Sequence, residues 1–281
     1  MRYHIVGSDS YISRRFLENY EKKINARLLS RSSNKSNDFV DLNNPNDFDF
    51  TTIEKDDIIV FFAAVSSPDI CEKEREYAHK INVEGTKIFI ENCIKKESRV
   101  LFFSSDVVYG KASGISEENS PVAPFGAYAF MKREIEEYFK DSSLVKIFRL
   151  SYVWSKNDKF TKYLESCATT KKVAEVFDSL FRNVVYINDV TECIYNLSKT
   201  WELWNNQVFH ICGKQLLSRY DIAKMFQEEI YKDLSCIKVE PDENFYICRA
   251  KSISMKSLYI ERLLNRPVAL LKDAMNIEFK L

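Results

Sequence analysis

A tyrosine and a lysine four residues apart, Tyr128 and Lys132, could together perform acid–base chemistry. The pattern around them predicts a helix from about Ala127 to Lys140, and the i, i+4 spacing would then place both side chains on one face. A phenol with a pKa of about 10 is a poor acid or base at neutral pH, but a nearby ammonium lowers that pKa. The pair therefore indicates a proton-transfer site, although the same spacing also occurs on ordinary helix surfaces.

A hydroxyl group is available to position a reacting oxygen beside this pair. Ser105 follows a strand predicted over Val100–Phe103, and Asp106 comes directly after it. A proton donor and a second hydroxyl on one oxygen are typical requirements of carbonyl or alcohol chemistry.

The turn after the first predicted strand, residues 7–13, could hold the phosphates of a dinucleotide, because the next helix would present its N-terminal N–H groups to them. Such turns favour three glycines, but only Gly7 is present, and Ser10 and Ser13 occupy the other two positions. Serine at position 10 would be strained if a positive φ were required there. The alternative is an ordinary strand-to-helix turn that Ser8 or Ser10 caps.

The elements that must position these residues alternate along the first 150 residues. Continuous apolar runs and amphipathic stretches follow the order β-α-β-β-β-α-β-α-β. Strands buried on both faces and separated by helices indicate a parallel sheet. We therefore expect an α/β fold, with a Rossmann-type doubly wound parallel sheet over residues 1–150. Residues 182–213 should return to this domain, and residues 151–181 and 214–281 should form a smaller C-terminal α+β substrate lobe.

Composition argues against several other classes of protein. Lys and Arg number 41, as do Asp and Glu, and this zero net charge disfavours a nucleic-acid binder. No apolar run has the length of a membrane span or the pattern of a signal peptide. The seven cysteines are scattered and the three histidines lie far apart, which indicates reduced thiols and no metal centre. The expected location is cytoplasmic.

Several short motifs, taken in order, resemble the extended short-chain dehydrogenases/reductases of the NAD-dependent epimerase/dehydratase family. Within that family the chain looks most like nucleotide-sugar 4-ketoreductases of the dTDP-4-dehydrorhamnose reductase type. The resemblance extends over nearly the whole chain. It is carried by Phe61–Ser66 (FFAAVS), Asn82–Thr86 (NVEGT), Leu101–Gly110 (LFFSSDVVYG), Tyr128–Lys132 (YAFMK), Phe148–Trp154 (FRLSYVW), Arg182 and Val208–Gly213 (VFHICG).

The resemblance implies a role for each member of the catalytic group. Tyr128 would donate a proton to a carbonyl oxygen or take one from an alcohol. Lys132 would hold the nicotinamide ribose and lower the tyrosine pKa, and Ser105 would hydrogen-bond the reacting oxygen. The predicted helices at 72–96 and 127–140 resemble those of the family's dimer interface, so a homodimer is expected.

The resemblance also implies two sets of binding residues. A nucleotide-activated sugar would contact Ser66, Ser105, Asp106, Tyr152 and Arg182, with the arginine on its diphosphate. The dinucleotide would contact Gly7, Ser10, Tyr11, Ile12, Ser30, Arg31, Asp41, Leu42, Ala63, Ala64, Val65 and Lys132. The alternatives are a solvated loop for Asp41 and a plain surface position for Arg182.

Two residues narrow the chemistry and the cofactor. Val107 stands where the family's dehydratases carry an acid, which disfavours dehydration. Arg31 follows the second strand, where an arginine accommodates the 2′-phosphate of NADP, so NADPH is favoured and NAD remains possible. We expect an NADPH-dependent reductase of a 4-keto (6-deoxy) nucleotide sugar. The alternatives are a nucleotide-sugar 4-epimerase that retains NAD and, because two glycines are missing, a non-catalytic regulatory protein of the same fold.

Overall fold

A parallel sheet of seven strands forms the centre of the computed structural model, which describes residues 1–32 and 38–280. The strands are β1 (Tyr3–Val6), β2 (Ala26–Ser30), β3 (Asp38–Phe39), β4 (Ile58–Phe61), β5 (Arg99–Ser105), β7 (Val145–Leu150) and β11 (Val208–Ile211). Their order across the sheet is β11-β7-β5-β4-β1-β2-β3, and every neighbouring pair is parallel. This confirms the predicted Rossmann-type α/β fold. The direction of winding reverses between β1 and β4, where such sheets bind ligands.

Helices cover both faces of this sheet, which is why its central strands are mostly apolar. The described helices are α1 (Tyr11–Tyr20), α2 (Pro68–Lys73), α3 (Arg75–His79), α4 (Thr86–Lys95), α5 (Ala127–Tyr138), α6 (Lys159–Thr170), α7 (Ile187–Lys199), α8 (Arg219–Glu229), α9 (Ile260–Leu264) and α10 (Leu271–Phe279). Residues of α2 to α5 share one apolar cluster with the sheet. Residues of α1, α7 and α9 share a second cluster with its other face.

A smaller sheet lies in the second half of the chain. Its strands and those of an adjoining pair are β6 (Ile115–Ser116), β8 (Tyr152–Trp154), β9 (Ala174–Phe177), β10 (Phe181–Tyr186), β12 (Leu216–Leu217), β13 (Cys236–Val239) and β14 (Ser252–Met255). The order is β12-β10-β14-β6, with β8 beside β10, and β13 pairs with β9. Helices α6, α8 and α10 share a third apolar cluster with β8, β9, β10, β12 and β13. Thus β11 returns to the main sheet whereas β10 does not; the division into two lobes stays a prediction.

The long helix predicted over Glu72–Lys96 is interrupted in the structure. The backbone leaves the helical region at Glu74 (φ −118°, ψ 55°), and residues Lys80–Gly85 form a π-helical turn before α4. Periodicity alone cannot reveal such breaks, because apolar residues on either side still face the sheet. The polar stretch from Arg31 to Asp56 holds two 3₁₀ turns, at Pro45–Asp47 and Phe50–Thr52, in its described part.

Candidate active site

The predicted catalytic lysine is anchored to the strand that ends at the predicted catalytic serine. Lys132 is buried (5% exposed), and its Nζ donates a hydrogen bond to the Phe103 carbonyl oxygen of β5 at 2.7 Å. The same Nζ lies 5.6 Å from the centre of the Tyr128 ring. Helix α5 also packs against β5 and against the turn that follows it. Tyr128 and Lys132 therefore lie next to the carboxyl end of β5, where Ser105 is the last residue.

Burial sets the proton affinities of this pair. The pKa of Tyr128 is raised, first by loss of solvent and then by the nearby Cys71 and Asp106 side chains. Burial lowers the pKa of Lys132 to about 8. The expected depression of the tyrosine pKa by the lysine is not seen: desolvation of the phenolate is the largest effect, and Lys132 is not among the causes of the shift. The phenol is thus protonated at neutral pH.

Asp106 connects the serine to a second group of polar side chains. Its buried carboxylate accepts hydrogen bonds from the Ser105 hydroxyl (2.9 Å) and from the Ser151 hydroxyl (3.2 Å). The Arg182 Nε lies 3.4 Å from the carboxylate oxygen that accepts from Ser151. Burial raises the pKa of Asp106, and the guanidinium and the two hydroxyls oppose that rise. The carboxylate therefore orients Ser105 and is itself held in place from the opposite side.

A cleft of about 250 Å³ opens at the carboxyl ends of β1, β2 and β4. Nine of the predicted cofactor residues line it, namely Gly7, Ser10, Ser30, Arg31, Asp41, Leu42, Ala63, Ala64 and Val65. Tyr11, Ile12 and Lys132 do not line it; the Tyr11 hydroxyl donates instead to Ser155 Oγ at 2.7 Å, and the Lys132 Nζ donates to the Phe103 carbonyl oxygen. Five further lining residues were not predicted: Asp9, Ser32, Val40, Phe62 and Ile81. The cleft lies where a parallel sheet of this order binds dinucleotides.

The glycine-poor turn beside this cleft is built without strain at its serines. Gly7 has φ +82°, and a Cβ there would lie 2.8 Å from the Ala63 backbone nitrogen, so this position needs glycine. Ser10 has φ −68°, and its hydroxyl caps α1 by accepting from the Ser13 N–H at 3.3 Å. The Ser13 hydroxyl in turn donates to the Ser8 carbonyl oxygen at 3.0 Å. Strain at Ser10 was expected only if its φ were positive, and its φ is negative.

The Asn-Val-Glu-Gly-Thr segment supports the opposite wall of the cleft. The Asn82 amide oxygen accepts from the Val65 N–H at 2.8 Å, and its nitrogen donates to the Val65 carbonyl oxygen at 2.9 Å. A Cβ on Gly85 would lie 1.9 Å from the Leu42 carbonyl oxygen. These two contacts fix the segments that carry Val65 and Leu42, which both line the cleft. The π-helical turn that contains Asn82 and Gly85 thus has a structural purpose.

Charged groups of both signs lie at the rim near the end of β2. Arg31 is exposed, and its Nη1 donates to the Tyr77 hydroxyl at 3.4 Å. The Asp9 carboxylate accepts from the Ser32 hydroxyl at 2.8 Å. The Asp41 carboxylate accepts from the backbone N–H and the side-chain amide of Asn43 at 3.0 and 2.9 Å, which closes a turn. The positive Arg31 would attract an additional phosphate at this rim, and the negative Asp9 would repel it.

A second cavity, of about 220 Å³, lies on the other side of Asp106. Three predicted substrate residues line it, namely Asp106, Tyr152 and Arg182, together with Ser151. Ser105 and the exposed Ser66 are not among its lining residues. Arg219 and Arg249 also line this cavity and were missed, because single arginines in the C-terminal half carry no readable pattern. Trp154 is fully buried, as expected of a core residue.

Three further sequence-based expectations concern membrane spans, metal ions and cysteines. No described helix is both long and apolar enough to cross a membrane. Within residues 1–32 and 38–280, no three His, Cys, Asp or Glu side chains form a group that could hold a metal ion. All seven cysteines are free thiols, and six of them are buried.

The fold and the arrangement at its carboxyl edge define the chain as a short-chain dehydrogenase/reductase-type protein. More specifically, the chain belongs to the RmlD substrate binding domain family, whose model matches residues 1–259. It is 27% identical over 203 residues to a dTDP-4-dehydrorhamnose reductase of Aggregatibacter actinomycetemcomitans, covering 69% of each chain. The curated relatives are matched over 66 to 69% of their length, the lower value being slightly under two thirds.

Solved structures share the fold over almost their entire length. A hypothetical dTDP-4-dehydrorhamnose reductase from Sulfolobus tokodaii has a TM-score of 0.82 at 20% identity, with 98% of this chain and 99% of that chain covered. A mutant UDP-glucuronic acid 4-epimerase from Bacillus cereus, in complex with a UDP-sugar derivative and NAD, has a TM-score of 0.80 at 17% identity, with 100% and 98% covered. At these identities the likeness shows the fold alone.

Proposed function

We propose that this protein is an NADPH-dependent reductase of a 4-keto (6-deoxy) nucleotide sugar. The observation that carries the proposal is the bond from Lys132 to the Phe103 carbonyl, which anchors the Tyr128 helix beside the strand that ends at Ser105. The first cavity lies at the ends of β1 and β4, and the second borders Asp106, the neighbour of Ser105; Ser105, Tyr128 and Lys132 are not among the lining residues of either. A reductase needs a cofactor and a substrate that meet at one proton donor, so we expect ligands in these two cavities to extend to Tyr128.

The proposed mechanism assigns proton transfer to Tyr128. Its phenol donates a proton to the ketone oxygen, while the Ser105 hydroxyl donates a hydrogen bond to the same oxygen. In this structure the single Ser105 hydroxyl proton is donated to Asp106, so the hydroxyl would have to turn from that carboxylate to the ketone oxygen when the substrate binds. Lys132 supplies positive charge next to the phenolate that forms, which offsets the cost of that anion in a buried site. A bound nicotinamide would supply the hydride to the ketone carbon.

The protonation state of Tyr128 favours reduction over epimerisation. Burial raises its pKa, so the phenol carries its proton at neutral pH and is ready to donate it. A 4-epimerase must first remove a proton from the substrate hydroxyl, for which a phenolate is the better starting form. A 4-epimerase that retains NAD is therefore the second candidate function.

The first cavity suits a dinucleotide, and we propose NADPH as the preferred one. Gly7 allows backbone to approach a ligand closely at the N-terminus of α1, where N–H groups favour phosphate. Arg31 at the rim would pair with a 2′-phosphate. The Asp9 carboxylate at the same rim opposes this preference in part, and it is the observation that keeps NAD as the alternative.

A fluorescence titration and a turnover assay test the proposal together. The purified protein should bind NADPH more tightly than NADH and should oxidise NADPH when given a 4-keto-6-deoxy nucleotide sugar. No oxidation with any of several nucleotides would refute the reductase. NAD that co-purifies without net consumption would instead indicate the epimerase, and a flat titration with both cofactors would indicate the non-catalytic reading.

The tyrosine variant separates catalysis from binding. Tyr128→Phe should lower turnover by about 10²- to 10⁴-fold while NADPH still binds, because only the proton donor is removed. Tyr195→Phe is the matched control, since Tyr195 stacks on Tyr20 on the α1–α7 side of the sheet. Full activity of Tyr128→Phe would remove the proposed acid.

Assembly and location complete the proposal. We propose a homodimer formed through α3 to α5, because Phe130 and Tyr138 of α5 and Tyr77 of α3 are exposed aromatic side chains. A cytoplasmic location is supported by the seven free thiols.

A further inference from the structure

The second cavity contains three arginines, and they differ in whether protein groups already neutralise them. Arg182, Arg219 and Arg249 all line it, and Asp106 is its one carboxylate-bearing lining residue among those described. A cavity with this charge favours an anion. Which guanidinium would bind that anion depends on the partners that each one already has.

Arg182 and Arg249 are both engaged by the protein. Arg182 donates to the carbonyl oxygens of Phe181 (2.6 Å) and Ala250 (2.7 Å), and its Nε faces Asp106. Arg249 forms a two-pronged ion pair with Asp69, with distances of 2.7 and 2.5 Å. Either arginine would have to give up a bond before it could bind a ligand. The predicted diphosphate contact of Arg182 would carry this cost.

Arg219 differs from the other two because none of the described carboxylates forms an ion pair with it, and its hydrogen-bonding contact is with the Tyr152 side chain. Its guanidinium carbon lies 3.7 Å from the centre of the Tyr152 ring and 4.9 Å from that of Phe160. Its Nη1 is buried and has no hydrogen-bond partner among residues 1–32 and 38–280. Stacking on aromatic faces fixes the plane of a guanidinium and leaves the N–H groups at its edge able to donate. A buried charged donor without an acceptor is costly unless a ligand supplies one.

We propose that Arg219 binds the diphosphate of the nucleotide sugar. This inference rests on the substrate class of the proposed function. The other two guanidinium groups are neutralised by Asp106 and Asp69, so Arg219 carries the unbalanced positive charge of the cavity. Phosphate oxygens suit the planar edge of an arginine, which can donate two parallel hydrogen bonds. The cavity also includes Asp106, which holds Ser105, so the sugar would extend from Arg219 towards the proposed reacting group.

Calorimetric titration with nucleoside diphosphates tests this assignment without any turnover. UDP and dTDP are the probes, and uridine and thymidine are the matched ligands without phosphate. We expect Arg219→Gln to weaken the binding of at least one diphosphate by about tenfold or more, as for loss of a charged hydrogen bond. The diphosphate affinity of Arg219→Lys should lie between those of the wild type and Arg219→Gln, because lysine keeps the charge but lacks the flat edge of the guanidinium. Any binding of the nucleosides should not change.

Arg262→Gln is the control variant. Arg262 also stacks on an aromatic ring, Trp204 at 4.4 Å, but it is exposed and lies outside the cavity. The Arg262→Gln variant should bind the diphosphates with the same affinity as the wild type. Equal affinity of Arg219→Gln and wild type would overturn the proposal, as would the absence of diphosphate binding by the wild type. If diphosphates bind through Arg219 but no ketosugar is reduced, the reductase fails and this assignment stands.

Discussion

Replacing Lys132 by methionine should separate what this lysine does for activity from what it costs in stability. Methionine has a similar length but no charge and no donor. Lys132 is 5% exposed, and burial lowers its pKa from 10.5 to about 8. At about 1.4 kcal/mol for each pKa unit, the folded protein loses about 3 kcal/mol at pH 7 by keeping this ammonium charged.

The sign of the pH dependence follows from which state binds the proton. Between about pH 8 and pH 10.5 the unfolded chain holds the Lys132 proton and the folded chain has released it. Stability due to this group therefore rises with pH across that window. The free energy of unfolding of the wild type, minus that of Lys132→Met, should increase by about 2.5 kcal/mol from pH 7 to pH 10. NADPH-dependent turnover should be lost in the variant, and in the wild type it should fall above about pH 8.

Lys146 provides the matched control. It is also buried, its pKa is also lowered to about 8, and its Nζ donates to the carbonyl oxygens of Trp204 (2.6 Å) and Asn206 (3.0 Å). Urea unfolding followed by tryptophan fluorescence should give Lys146→Met the same pH dependence, with turnover retained. A difference between wild type and Lys132→Met that does not change with pH would refute the role of burial. Retained turnover in Lys132→Met would refute the catalytic role.

Three further substitutions test the cofactor cleft and the proposed dimer. Arg31→Ala should weaken NADPH binding by about tenfold and leave NADH binding unchanged in fluorescence titrations, as expected for loss of one charged hydrogen bond; equal effects on both would argue against a 2′-phosphate contact. Gly7→Ala should destabilise the fold by about 1 kcal/mol or more, measured by thermal unfolding, because φ is +82° and the added Cβ would meet the Ala63 backbone. An unchanged midpoint would contradict this. Phe130→Glu should yield a monomer in light scattering, whereas Ile277→Glu, at a similarly exposed position on α10, should not.

The sequence carried enough information for the main sheet because burial on both faces leaves a strong pattern. The four residues of Ile58–Phe61, for example, are all buried and all apolar. The breaks in the helix after Pro68 left no such pattern. They depend on Asn82 reaching the Val65 backbone and on Gly85 packing against Leu42, contacts between residues far apart in the sequence. Local periodicity does not record contacts of that kind.

For the candidate site too, some features could be predicted from the sequence and others could not. Tyr128, Lys132 and Ser105 could be named from residue types, spacing and flanking motifs, and nine cofactor residues could be placed around one cleft. The direction of the Tyr128 pKa shift could not be predicted, because the sequence does not show how strongly a side chain is desolvated. Ser10 also looked unfavourable in sequence, yet a backbone φ of −68° makes it an ordinary helix cap.

The sequence by itself determined the type of sheet and the order of its elements, and it supplied the candidates for the reactive side chains, because these depend on short-range patterns along the chain. The tertiary structure alone decided which charges are neutralised. Asp106 meets Arg182, Asp69 meets Arg249, and Arg219 is left with a buried donor and no acceptor among the described residues. Ion pairing depends on distances of a few ångströms between residues that are up to 180 positions apart, and only the folded chain sets those distances.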